Sequence, residues 1–268
     1  MSAPPAAAGV VDGAIDIEAA GAALARWAGL SLASGLKGTL RQAVQAAAGE
    51  LGLAPAALAA AVAGGDLAAT EVLAEHAVVG ETSFWRQAEG LVALARRLAP
   101  RPGPLSLWSA GCATGEEPYS LAVALREAGR DRPEDRLLAT DLSARALSRA
   151  QAGLYRARAL RRLPPELAGR WFQASDHGAR VDPGLAARVA FRRHNLLDAP
   201  PPGPFDAVLC RNVVIYFEEA VARAALARLA GALAPGGVLL LGPVELPLAA
   251  GLGLRMIEEG GATLLLRG

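Results

Sequence analysis

The stretch LWSAGCATGEEPYS, residues 107–120, constrains what this chain can fold into more than any other part of it. Leu105 to Trp108 is an apolar run that reads as a buried strand, and Ser109 to Gly115 is small and turn-prone. A helix with apolar periodicity then runs from Pro118 to Ala128. Strand, tight loop and helix form the opening unit of a nucleotide-type α/β domain.

The charge of that loop limits its ligand. A phosphate-binding loop presents the bare N–H groups of a helix start to an anion, and a carboxylate there would repel it. Glu116 and Glu117 occupy that spot, and neither G-x-G-x-x-G nor G-x-x-x-x-G-K-[ST] is present. A cationic, phosphate-free ligand fits better, and S-adenosylmethionine, with its sulfonium and amino groups, is the common one. Thr114-x-x-Glu117 also has the spacing of a capping box. Glu117 is therefore assigned to capping, and Glu116 stays divided between helix-start charge and ligand contact.

Composition narrows the class. The chain has 268 residues, enough for one large or two modest domains. A net charge of +1 and a pI near 7.9 carry no global signature of nucleic-acid or membrane binding. Cys112 and Cys210 lie outside any C-x-x-C or histidine cluster, which argues against zinc and against a disulfide scaffold. Both read as small buried residues. The first residues lack the pattern of a signal peptide, and no apolar run reaches the roughly 18 residues of a membrane span. A soluble cytoplasmic protein is expected.

In chain order, 1–13 is an Ala/Pro tail expected to be disordered, and 14–78 reads as a small all-helical domain. Gly35 breaks its first helix. Leu36, Leu40, Val44, Ala47 and Leu51 then form one stripe, with Lys37 and Arg41 beside it. Pro55 suits the first turn of a third helix, and Asp66 can cap a fourth that ends near His76, a helix C-terminal cation. In Gly80-Glu81-Thr82-Ser83-Phe84-Trp85-Arg86, Thr82 can cap the following helix, Phe84 and Trp85 can anchor a core, and Arg86 has no local partner.

A second strand, Arg136 to Thr140, ends in Asp141. An acid there is placed to hold a ribose diol, because one carboxylate can accept from both hydroxyls. Ser143 is available to cap the next helix, so the ribose role is preferred for Asp141. From 145 to 193 there are eleven arginines against Glu166, Asp176 and Asp182. Such a run is either a solvated face or a surface for an acidic protein; without interleaved aromatics, nucleic acid is disfavoured. Val189 to His194, Phe205 to Arg211 and Val238 to Gly242 are further strands, and a hairpin closes the chain around Gly260-Gly261.

Four blocks carry a resemblance: GETSFWR, LWSAGCATGEEPYSLA, LLATDLSARALSRAQAGLY, and FDAVLCRNVVIYF with the later LAPGGVLLLG. On them the chain resembles the CheR family, S-adenosylmethionine-dependent methyltransferases that esterify glutamates on bacterial chemoreceptors. The resemblance covers nearly all of the chain after residue 14. It implies a Rossmann-like, seven-stranded α/β class I methyltransferase domain at 79–268, with a small β-subdomain near 171–193. It also implies that 14–78 recognises the receptor.

S-adenosyl-L-methionine is then the cofactor, S-adenosyl-L-homocysteine the product, and no metal is needed. The implied cofactor contacts are Gly80, Thr82, Arg86, Ala110, Glu116, Asp141, Leu142, Asn195, Leu196, Arg211 and Asn212. Arg86, Arg211 and Tyr216 are placed at the reaction centre, with Arg211 and Tyr216 orienting the acceptor carboxylate; Arg86 can also pair with Glu116. A glutamate acceptor, with a reference pKa near 4.3, is already ionised at neutral pH and needs no general base. The implied partner is the cytoplasmic helical domain of a chemoreceptor or related signalling protein, methylated by a monomer that neither enters the membrane nor binds nucleic acid.

The chain departs from the family pattern in several places. Gly80 stands where asparagine is usual, and Pro243 and Val244 replace a polar pair, although Glu245 remains. Only Lys37 and Arg41 are left of a basic recognition helix, and the loop at Asp176-His177-Gly178 is short, so tethering to a receptor tail is not expected. Two alternatives stay open: a catalytically silent module that binds S-adenosylmethionine or its product, and a methyltransferase for another carboxylate substrate.

Overall fold

Four amphipathic segments fold into helices in the first of two units, which takes in 1–27 and 31–77; the second takes in 28–30 and 78–268. The structure is a computed structural model that describes residues 15–31, 37–78, 80–176 and 178–268. The expected tail at 1–13, the break at Gly35 with Leu36, the Lys37 side chain and His177 lie outside the described residues.

In the first unit, α1 (Ile17–Ala28), α2 (Lys37–Leu51), α3 (Pro55–Ala63) and α4 (Leu67–Ala77) bury Leu24, Leu40, Val44, Leu58, Val62 and Leu73. Leu51, expected on the buried stripe, is 40% exposed because α2 ends at it. Pro55 opens α3, where its missing N–H has no helical partner to lose. Asp66 accepts from the Ala69 N–H at 3.0 Å and so caps α4. At the far end of α4, His76 pairs with Glu50 at 2.8 Å.

The second unit begins with α5 (Ala88–Leu98), β1 (Ser106–Ala110), α6 (Glu116–Glu127), β2 (Arg136–Asp141) and α7 (Ala144–Ala152). A smaller excursion follows: β3 (Leu154–Tyr155), α8 (Ala157–Leu160), α9 (Pro165–Trp171), β4 (Phe172–Ser175), β5 (Gly178–Val181) and α10 (Pro183–Ala186). The chain closes with β6 (Val189–Arg193), β7 (Phe205–Cys210), α11 (Glu219–Gly231), β8 (Leu233–Leu241), β9 (Arg255–Glu259) and β10 (Ala262–Leu266).

The main sheet has seven strands in the order β6-β2-β1-β7-β8-β10-β9. The first five are parallel, and β10 is antiparallel to both of its neighbours. β1 and β7 are almost wholly buried, as strands covered on both faces are. Alternate residues feed two cores. Leu107, Ala207, Leu209 and Leu240 join Leu91, Leu94 and Leu121 on one face, while Trp108, Val208, Cys210 and Leu239 join Leu226 and Leu229 on the other. Strand order reverses between β1 and β7, and in such a sheet the crevice opens beyond the carboxyl ends of these strands.

The small sheet has the order β3-β5-β4 and is antiparallel, spanning 154–181. It therefore starts and ends earlier than the subdomain expected near 171–193. Val189–Arg193 instead pairs in parallel register with β2, Leu137 opposite Val189 and Asp141 opposite Arg193. Phe84 is an anchor here: it is fully buried and meets Tyr155 and Phe172 edge-on, with centroids 4.7 and 4.9 Å away. Among the described residues, no single helix is long and apolar enough to cross a membrane.

Candidate functional site

Four strand ends converge at the reversal. Gly111–Ala113 follow β1, Asp141 and Leu142 close β2, His194–Leu196 follow β6, and Arg211–Val213 follow β7. All line one cleft with Gly80, Thr82, Arg86, Glu117 and Tyr216, enclosing about 1060 Å³ with the open mouth included. Of the site residues expected from the sequence, Gly80, Thr82, Arg86, Asp141, Leu142, Asn195, Leu196, Arg211, Asn212 and Tyr216 lie together in this cleft.

Two expected residues lie elsewhere. Ala110 faces the core behind β1. Glu116 is buried away from the cleft lining, where its Oε2 accepts from Thr114 Oγ1 at 2.7 Å. The reason is the phase of α6. Gly115, at φ +94°, is its N-cap, so the helix starts at Glu116, and the turn of about 100° per residue points Glu117 rather than Glu116 into the cleft. The capping box expected for Thr114 and Glu117 therefore does not form. Thr82 does not cap α5 either: that helix starts at Ala88 with Gln87 as its N-cap, which leaves Thr82 on the cleft wall.

Glycine is obligatory at two points of the β1 loop. A Cβ on Gly111, at φ +82°, would lie 2.6 Å from Val213 Cγ2, so the loops after β1 and β7 touch there. A Cβ on Gly115 would lie 2.8 Å from Ala150 and 2.9 Å from the Tyr155 hydroxyl.

The charged groups of the cleft divide into braced and unpaired. Glu117 Oε1 accepts from Ser109 Oγ at 2.8 Å, and its Oε2 lies 3.4 Å from Arg211 Nη1. Burial pushes the Glu117 carboxyl up from its ordinary range, with the Arg211 charge and the Ser109 hydroxyl opposing. Nη2 of Arg211 donates to the Arg86 carbonyl, to the Gln87 carbonyl at 3.2 Å and to Gln87 Oε1 at 3.1 Å. Arg211 thus ties α6 to the 86–87 backbone. Arg86 donates to the Glu81 carbonyl at 3.1 Å, and among the described residues it has no ion pair; its expected pairing with Glu116 is not made.

Asp141 receives the Ala113 N–H at 2.8 Å and the Ser143 N–H at 2.9 Å, while Ser143 caps α7 by accepting from Ala146 at 3.0 Å. His194 lies edge-on to Trp108, and burial lowers its pKa, which keeps the ring neutral at pH 7. Cys112 lines the same cleft and Cys210 is fully buried; for both, burial first and nearby carboxylates second hold the thiol well above its ordinary pKa.

Sequence reasoning missed the work of Glu245. It has no solvent exposure, and its carboxylate collects four backbone N–H groups: Gly242 at 2.9 Å, Asn212 at 2.8 Å, Val213 at 2.8 Å and Val214 at 3.1 Å. These bonds hold Asn212 at φ +60° and set the turn that carries Tyr216 into the cleft. An acid four residues beyond the end of a buried strand was the available signal, and the pattern gave it no partner.

Residues 80–248 match the CheR methyltransferase, SAM binding domain. The chain belongs to the CheR family. The chemotaxis protein methyltransferase of Klebsiella aerogenes is 42% identical over 171 residues, which cover 61% of this chain and 59% of that protein. Chemotaxis protein methyltransferase 1 of Pseudomonas aeruginosa is 39% identical over 189 residues, 65% of this chain and 69% of that one. The probable biofilm formation methyltransferase WspC of Pseudomonas putida is 38% identical over 194 residues, 69% of this chain and 46% of that one. The chain thus spans about three fifths of the length of the Klebsiella protein it matches. The cleft fits the cofactor of a CheR domain. Asp141 and Glu117 supply carboxylates for a cationic, hydroxyl-bearing ligand, and two buried cleft atoms, His194 Nε2 and Asn212 Oδ1, have no hydrogen-bond partner. Among the described residues, no group of three or more His, Cys, Asp or Glu is placed to hold a metal ion.

Proposed function

We propose that this CheR protein is a cytoplasmic, monomeric methyltransferase that esterifies glutamate side chains on the helical cytoplasmic part of a chemoreceptor or related signalling protein. The supporting observation is the division of charge in the cleft: two carboxylates suited to the cofactor and one arginine, Arg86, with no ion pair among the described residues. When bound, S-adenosylmethionine supplies a methyl group on a sulfonium.

The protein's part is to hold and orient. Asp141 accepts from the ribose hydroxyls, Glu117 faces the cationic amino end, and Asn195 and Leu196 flank the adenine beside the neutral His194. Asn212 Oδ1, buried without a partner, is an acceptor for the remaining donors. Arg86 and Tyr216 orient the acceptor carboxylate. Arg211, whose guanidinium is already engaged by Glu117 and the 86–87 segment, keeps that wall in place instead of gripping substrate. The acceptor is ionised at neutral pH, so no residue has to take a proton, and acceleration comes from alignment in a site with little water.

Tyr216→Phe is the direct test. Transfer of labelled methyl to base-labile esters on purified receptor cytoplasmic fragments should fall about tenfold in kcat, with the affinity for S-adenosylhomocysteine unchanged by calorimetry. Cofactor binding with no transfer to any fragment would instead favour the silent-module reading, which the departures at Gly80 and at Pro243-Val244 motivate.

A further inference from the structure

The turn between β3 and α9 carries a charge that the cofactor cleft leaves unused. Arg156, Arg158, Arg161 and Arg162 are all exposed, and among the described residues none of their side chains has an ion pair or hydrogen bond. Several arginines elsewhere in this unit are paired with acids, among them Arg130 with Asp135 at 2.6 Å, Arg170 with Glu127 at 2.6 Å and Arg188 with Asp131 at 2.5 Å. From Leu154 to Trp171 the only acid is Glu166.

Position separates this patch from an ordinary solvated face. The Phe84 N–H donates to the Ala159 carbonyl at 3.1 Å, and the buried Phe84 ring packs on Tyr155 and Phe172 from either side of the turn. Phe84 lies between Ser83 and Arg86, both on the cleft wall. The turn that carries the four arginines is therefore tied to the segment that lines the cleft. Tyr155 and Phe172 are buried, so the turn offers no stacked aromatic surface of the kind single-stranded nucleic acid uses. Four unmatched cations on a chain of net charge +1 form a local feature, suited to steering and registering a partner of opposite sign.

We propose that Arg156, Arg158, Arg161 and Arg162 form a docking surface for a glutamate-rich segment of the substrate protein. This rests on the methyl-transfer reading and adds the chemistry that brings an acidic segment to the cleft.

The test uses the full chain and labelled poly-L-glutamate as the probe, with binding followed by fluorescence anisotropy at low and at physiological salt. Two quadruple variants are compared, all four arginines to glutamine and all four to lysine, each checked for an unchanged thermal midpoint. The glutamine variant should bind at least about tenfold more weakly at low salt, the lysine variant should keep most of the affinity, and salt should erase the difference. Wild-type affinity in the glutamine variant would overturn the proposal, as would tighter wild-type binding of oligo(dT) than of poly-L-glutamate. Calorimetry with S-adenosylhomocysteine is run alongside. Loss of that signal in the unmodified protein counts against the methyltransferase reading, while the anisotropy result still decides whether the surface binds acidic protein.

Discussion

The loops after β1 and after β7 are built alike and used differently. Each carries a non-glycine residue in the left-handed region, Ala113 at φ 46° and Asn212 at φ 60°, and each is pinned by a carboxylate from a later strand end. Asp141, which holds the first loop, is partly exposed and lines the cleft; Glu245, which holds the second, is sealed off and bonded to four N–H groups. The same chemical group thus serves as ligand-facing wall in one loop and as internal frame in the other. Solvent access tells the two apart.

The comparison can be broken most severely at the frame. Glu245→Ala leaves four backbone donors, two of them buried, without their acceptor and should cost about 4 kcal/mol in chemical denaturation, with cofactor binding lost as a secondary effect. Asp141→Ala should show the opposite balance. Stability should fall by only about 1 kcal/mol, because Ser143 keeps the α7 cap, while S-adenosylmethionine affinity measured by calorimetry should fall about 30-fold.

A third test concerns the cleft-facing acid of the α6 start, Glu117. Burial raises Glu117, so its neutral form is favoured in the folded state; the stability this gives is present at low pH and lost as pH rises through the raised pKa. A cationic ligand needs the ionised form. Cofactor affinity should therefore decline on acidification already above the ordinary carboxylate range, and Glu117→Gln should bind more weakly with a flatter pH profile. The smallest effect is expected at Gly80. A Cβ there meets nothing within 4 Å, so Gly80→Asn should be accommodated and should raise cofactor affinity by about threefold.

Much of this was legible in the sequence because it is local. Alternating apolar strands and periodic helices define the parallel sheet, and the availability of Ser143 to cap α7 identified Asp141 as a cleft acid. The choice between Glu116 and Glu117 was not legible, since it turns on the backbone angle of Gly115 and thus on the phase of α6. Arg211 looked like a substrate clamp because its engagement comes from carbonyls at Arg86 and Gln87, more than a hundred residues earlier. Glu245 was hidden for the same reason: its partners at 212–214 are over thirty positions away. In both cases propensity and spacing report nothing, because the interaction exists only once the sheet has brought β1, β7 and β8 together.

The two cysteines give the molecule a built-in stopwatch. With both thiols shielded and held in their unreactive protonated form, modification has to wait for a structural fluctuation. Cys112 lies on the cleft lining and Cys210 inside the sheet, so one sulfur reports on breathing at the mouth and the other on global opening. Timed alkylation read by mass spectrometry would then distinguish a ligand that quietens the entrance from one that steadies the whole domain.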